Sequence, residues 1–113
     1  AEAEQVAQLA RKVDNKADYA GPLSLDLAVS PRSVISKGIS EDSLLGIVAG
    51  KADALVVPDI VSGNILFKSL VYFAGGLAAG IVVGGKVPII LTSRSDPPQA
   101  RLASIALAAL NNS

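Results

Sequence analysis

Apolar and polar positions along this 113-residue chain alternate between a helical and an extended rhythm. Between Glu2 and Val13, the residues Val6, Leu9, Ala10 and Val13 recur at helical spacing. Glu2 and Glu4 precede them and Arg11 and Lys12 follow, so an amphipathic helix aligned with its own macrodipole is predicted. Leu23 to Val29 alternates instead, with Leu23, Leu25, Leu27 and Val29 on one face and Ser24, Asp26 and Ala28 on the other. That pattern predicts a half-buried strand between the breaks at Gly21-Pro22 and Ser30-Pro31. Pro31 to Ser36 fits a short helix or a loop. Ser40 is placed to cap a further short helix through Leu44, Leu45, Ile47 and Val48, which Gly50 would end.

The stretch from Ala52 to Gly76 organises the remainder. Ala54 to Val57 reads as a strand stopped by Pro58-Asp59, because proline has no N–H for a ladder. Ser62-Gly63-Asn64 reads as a turn, and Ile65 to Ala74 as a helix closed by Gly75-Gly76. Ala78–Val83 and Val87–Leu91 are unbroken apolar runs, the pattern of strands covered on both faces. The link Gly84-Gly85-Lys86 is too short for a parallel crossover, so these two either pair antiparallel or are not neighbours. Gln99 to Leu110 reads as a helix with Leu102, Ile105, Ala106 and Ala109 on one face. Pro97 or Pro98 suits its first turn and Asp96 its cap. The order of elements predicts an α/β fold, a mostly parallel sheet with helices on both faces.

Composition narrows the chemistry. Half the residues are apolar and 18% are charged, with ten basic residues balancing ten acidic ones, so no net field would steer the chain to nucleic acid. There is no Cys and no His, which removes thiol nucleophiles, histidine bases and most zinc or copper sites. Proton transfer falls to Asp, Glu, Lys, Tyr or a substrate group. Ser69 to Gly85 carries no charge and contains overlapping G-x-x-x-G spacings. A membrane span there would hold five glycines, each costing about 1 kcal/mol in a helix interior, and no membrane association is expected.

Two turns collect the polar groups. At Thr92–Arg101 three hydroxyls, the Arg94 guanidinium and a helix start converge, a setting suited to a phosphate or carboxylate. The plainer alternative makes Thr92, Ser93 and Asp96 caps and Arg94 a surface charge. At Asp59–Lys68 the glycine pattern matches neither a P-loop nor a dinucleotide fingerprint. The apolar neighbours of Lys68 suggest burial, which would call for an anionic partner. Asp26 is read as solvated or as the partner of a nearby base.

These residues carry a resemblance. GPLSLDLAVS (21–30), KGI (37–39), ADALVVPDIVSGNILFKSLVYFAG (52–75), AAGIVVGGKVPIILTSRSD (78–96) and ARLASIALAAL (100–110) are similar to the C-terminal part of the phosphate acetyltransferase/phosphate butyryltransferase family, closer to the butyryltransferase branch. The combination P-D-x-x-x-G-N-x-x-x-K followed by L-T-S-R-x-D carries the likeness. The resemblance implies acyl transfer between coenzyme A and inorganic phosphate without a covalent enzyme intermediate. It implies a dimeric, cytoplasmic enzyme of the isocitrate/isopropylmalate-dehydrogenase-like two-domain type, with acyl-CoA and phosphate as its partners. No cofactor or metal is implied, CoA being substrate or product.

By the same resemblance Ser93 and Arg94 take catalytic roles, Arg94 on phosphate and Ser93 on the oxygen or sulfur that gains charge. Asp96 is the candidate acid for deprotonating the CoA thiol. Thr92, Asp59, Gly63, Asn64 and Lys68 are the candidate substrate-binding residues. Residues 1–86 are expected to form most of one α/β domain on the CoA and dimer side, and 87–113 the last strand and helix, returning toward a missing N-terminal domain. Family members are longer, so a fragment inactive on its own is expected. The alternatives are a phosphate:acyl-ACP acyltransferase of the same fold, for which LTSRSD offers no match, and a non-catalytic oligomerisation module.

Overall fold

The computed structural model describes residues 2–111 and comprises two compact units, 1–58 and 59–113. Ala1, Asn112 and Ser113, included in the ranges expected above, lie outside the described residues.

The first unit begins with α1 (Glu2–Val13), acidic in its first turn and basic in its last, as the periodicity requires. Leu23–Val29 is not a strand. Leu25–Val29 is a short helix, α2, and Pro31–Ser36 is another, α3. Local side-chain chemistry overrides the alternation. The Ser24 hydroxyl donates to the Asp26 carboxylate at 2.6 Å, and Ser30 accepts the Ser33 N–H at 3.3 Å to cap α3, whose N1 is proline. The other Asp26 oxygen takes Lys37 Nζ at 2.7 Å, so this acid does have a basic partner. Lys37 first, and then Ser24, pull the Asp26 carboxyl down to about 2.

The helix expected after Ser40 is a series of turns. The Ser43 hydroxyl donates to the Ser40 carbonyl at 2.6 Å and accepts the Gly46 N–H at 3.0 Å, so a side chain occupies groups that a helix ladder would use. Gly50 ends this segment at φ +78, donates to the Leu27 carbonyl at 2.7 Å, and lies where a Cβ would press on the Pro31 backbone.

The second unit holds α4 (Ile60–Tyr72) and α5 (Pro98–Asn111). Ser62, Gly63 and Asn64, expected as a turn before a helix, form the first turn of α4 itself, because Asp59 already caps it. Gly75 leaves the helix at φ +68, and Gly76 returns its N–H to the Leu70 carbonyl at 2.8 Å. On α5 the buried residues are Ala100, Ser104 and Ala108, rather than the larger Leu102 and Ile105, which stay exposed. Small side chains spaced four apart admit close backbone approach, which branched ones would prevent.

The expected parallel sheet is absent: the described residues form five helices and no strand. Ala54–Val57 exchange no backbone hydrogen bonds with other described residues, and the two later runs meet at one antiparallel bridge, Val82 with Ile89. The correction has a physical basis. A parallel ladder needs an adjacent strand, and the preceding candidate, 23–29, is helical over Leu25–Val29. Pro88 removes a ladder donor beside the bridge, and Gly84 sits at φ +95 in the link. The runs are apolar without being covered: Val56 is 86% and Leu91 77% exposed. The two-domain dehydrogenase-like architecture, which presupposes that sheet, is not the fold of these residues.

Candidate functional site

All eight residues singled out in the sequence lie in the second unit. They fall on two segments, each ending in a helix.

Asp59 accepts the Ser62 N–H through Oδ1 at 2.7 Å and caps α4. The Ser62 N–H and hydroxyl hold its carboxyl below the usual aspartate value. Gly63 and Asn64 follow within the first turns, and Gly63 donates to the Asp59 carbonyl at 3.1 Å. Asn64 and Lys68 are four residues apart and share a face of α4. Lys68 is exposed and has no ion-pair partner among the described residues, so the expectation of a buried, anion-paired lysine is corrected. Its ammonium instead rests 5.5 Å from the centre of the Phe67 ring and 5.8 Å from that of Tyr72. An ammonium held against ring faces keeps its donors available to an anion.

The second segment closes on itself. The Asp96 carboxylate accepts the Ser93 N–H through Oδ2 at 2.7 Å, and the Asp96 N–H donates to the Ser93 carbonyl at 3.1 Å. Asp96 was expected to cap the following helix; it closes this four-residue turn instead. The Ser93 and Ser95 hydroxyls lie 3.2 Å apart, across the exposed residue between them, Arg94. The Arg94 guanidinium makes no hydrogen bond or ion pair with any described residue, and Asp96 Oδ1 likewise has no partner. Thr92 is half-buried at the entry to the turn.

The start of α5 contributes less to anion binding than the sequence suggests. Pro97 and Pro98 have no N–H, and the Ala100 and Arg101 N–H groups both turn to the Pro97 carbonyl, at 3.0 and 3.4 Å. Only the Gln99 N–H is left unbonded there.

A cleft of about 230 Å³ joins the two segments. Its walls are Phe67, Lys68, Val71 and Tyr72 from α4, the Gly76–Ala78 stretch, and Ser95, Asp96, Pro97 and Ala100. Lys68 and Asp96 are thus brought into one cavity, with Ser93 one hydrogen bond behind. Thr92, Arg94, Asp59, Gly63 and Asn64 are not part of that lining. Tyr72 and Ser95 were not singled out from the sequence. Tyr72 follows Lys68 by one helical turn, a spacing that could have marked it.

A second hollow, of about 260 Å³, lies in the first unit between Arg11, Asp18, Tyr19 and Leu44. Its cation is already used, because Arg11 donates to the Tyr19 carbonyl through Nη2 at 2.6 Å and Nε at 3.2 Å. No helix among the described residues is long and apolar enough to cross a membrane, and no cluster of metal-ligating side chains occurs among them.

The chain is similar to known proteins. The family described as "Phosphate acetyl/butaryl transferase" matches residues 1–109. A probable phosphate butyryltransferase of Bacillus subtilis (strain 168) is 53% identical over 88 residues, covering 78% of this chain and 28% of that protein. A phosphate acetyltransferase of Thermotoga maritima is 47% identical over 90 residues, covering 80% of this chain and 29% of that protein. Among solved structures, a branched-chain phosphotransacylase from Enterococcus faecalis V583 is similar at a TM-score of 0.75 and 40% identity, over 96% of this chain and 40% of the other. The chain spans under a third of the length of these curated relatives.

Proposed function

Because this chain belongs to the phosphate acetyl/butaryl transferase family, we propose that it supplies the anion-holding turn and one wall of the cleft of a phosphate acyltransferase. The reaction moves a short acyl group between coenzyme A and inorganic phosphate, giving acyl phosphate and free CoA. In the forward direction a phosphate oxygen attacks the thioester carbonyl, and the C–S bond breaks to release the CoA thiolate.

Arg94 binds phosphate through its planar fork of donors. The Ser93 hydroxyl donates to the carbonyl oxygen or departing sulfur as charge develops there. Asp96 faces the cleft with Oδ1 free. In the reverse direction it takes the proton of the CoA thiol, whose pKa is about 8.5 by analogy with cysteine. Lys68 attracts an anionic portion of CoA, and the apolar wall around it accommodates the uncharged part of the chain. Thr92, Asn64 and Gly63 shape the approach, and Asp59 sets the position of α4. The enzyme acts as a cytoplasmic homodimer. Neither His nor Cys is needed, because phosphate is itself the nucleophile.

The observation that carries this reading is the closed Ser93–Asp96 turn, in which Arg94, its guanidinium unpaired, directly precedes Ser95 and Asp96, which line the cleft together with Lys68. The test is a titration of the chain with inorganic phosphate and, separately, with CoA, followed by backbone NMR. Phosphate is expected to shift Ser93, Arg94 and Asp96, and CoA to shift Lys68, Tyr72 and Ala78. Unchanged spectra with both ligands would falsify the proposal.

A further inference from the structure

Ser104 is 3% exposed in the middle of α5, a polar side chain on the buried face of a helix. Its hydroxyl donates to the Ala100 carbonyl one turn back, at 2.9 Å. That bond alone is ordinary for serine inside a helix and satisfies the buried proton. The same oxygen does something further. It accepts the Gly80 backbone N–H at 3.1 Å, from a residue 24 positions earlier in the chain.

One of the two partners of this oxygen, Ala100, lines the cleft; the other, Gly80, lies two residues beyond Ala78, which with Gly76 and Leu77 forms another part of the lining. The Gly76–Gly80 stretch has few other anchors: its only other backbone hydrogen bond to a described residue is Gly76 to the Leu70 carbonyl, at the end nearest α4. The far end of that wall is therefore held to α5 by one side-chain oxygen.

We propose that Ser104 is a positioning residue that sets the width of the cleft by tying the Gly76–Gly80 wall to α5. The inference rests on the acyl-transfer reading of the cleft for its functional meaning, and on the Gly80–Ser104 bond for its structural content. Ser104 touches no substrate. It acts through the placement of Leu77 and Ala78, which share the cleft with Asp96 and Lys68, so the ligand affected is the CoA moiety and not the phosphate at Arg94.

The experiment compares the wild-type chain with Ser104→Ala and Ser104→Thr. Gly80 amide exchange is the first readout, because it reports the bond without any ligand. In wild type the Gly80 amide is expected to be protected. In Ser104→Ala it should exchange about tenfold faster, and in Ser104→Thr, which keeps the hydroxyl, protection should return. The second readout is affinity for two probes, CoA and inorganic phosphate. Ser104→Ala should weaken CoA several-fold and leave phosphate unchanged, a split that general loss of the fold would not produce.

An unprotected Gly80 amide in wild type overturns the proposal without recourse to any variant, as does equal protection in Ser104→Ala. Equal loss of both probes in a folded Ser104→Ala also overturns it. If CoA leaves the wild-type cleft residues unshifted while Gly80 behaves as expected, the acyl-transfer reading fails and the tie between the walls stands.

Discussion

The two aspartates that stand before the two long helices of the second unit invite the same reading, and the chain uses them differently. Asp59 spends its carboxylate on the Ser62 N–H and starts α4. Asp96 turns back to the Ser93 N–H, closes its own loop and leaves α5 to begin from a proline carbonyl. An acid that caps a helix is engaged in holding the fold. An acid that closes a loop with one oxygen leaves the other unbonded, and it holds the backbone of the turn that carries Ser93 and Arg94. Position before a helix therefore does not decide an aspartate's task; where the nearest unsatisfied N–H lies decides it.

This contrast can be broken most directly at Arg94. In a full-length enzyme carrying this segment, Arg94→Ala should lower CoA release from acyl-CoA and phosphate about 1,000-fold, with Arg94→Lys intermediate, because a point charge lacks the bidentate geometry. Helical content should be unchanged by circular dichroism. A full-rate Arg94→Ala enzyme would place the anion elsewhere.

Next in size is Asp96→Asn. The amide oxygen can still accept the Ser93 N–H, so phosphate affinity should persist while turnover of the same full-length enzyme falls about 100-fold through loss of the carboxylate base. Turnover at the wild-type rate would reduce Asp96 to a loop closure and make the two aspartates alike.

At the first turn the expected effect moves from chemistry to stability. Asp59→Ala removes the cap of α4 and should lower Tm by a few degrees, with Asp59→Asn close to wild type and phosphate affinity unaltered in both. Loss of phosphate binding in folded Asp59→Ala would show that the cap also serves the site.

The smallest effect is on acidification. The Asp59 carboxyl is lowered in the fold from its ordinary 3.8, so the stability it contributes is fully present above that value and is lost as pH falls through the folded pKa. The Ser62 amide resonance should report this release below pH 3.8, ahead of any change in α5. A Ser62 shift already complete at neutral pH would mean that the cap does not form.

How much of this was legible in the sequence differs by element. α1 could be read residue by residue, because its apolar spacing and terminal charges agree. The last helix was legible in extent but not in orientation: spacing pointed to Leu102 and Ile105, whereas the unit buries Ala100 and Ser104, whose small size lets Gly80 come close. The strands were misread because an apolar run states only that burial is favourable, and says nothing about a neighbour to pair with. Leu23–Val29 was misread because Ser24 ties to the Asp26 carboxylate and Ser30 takes the Ser33 N–H, local bonds that alternation ignores. For the candidate site, the two motifs were visible as residue types. Which acid capped a helix, and the ring contacts that replace an ion pair at Lys68, depended on local geometry that spacing does not encode.

The consecutive prolines at 97 and 98 carry a consequence for how substrate could come and go. A helix that opens on residues without amide protons, with the Ala100 and Arg101 amides already satisfied, leaves only the Gln99 N–H of its first turn to water or an anion. Departure of phosphate would then leave one mobile guanidinium in water and no frayed backbone behind it. Occupancy and folding are uncoupled at this end of the molecule, so the turn can empty and refill at each cycle while α5 stays as it is.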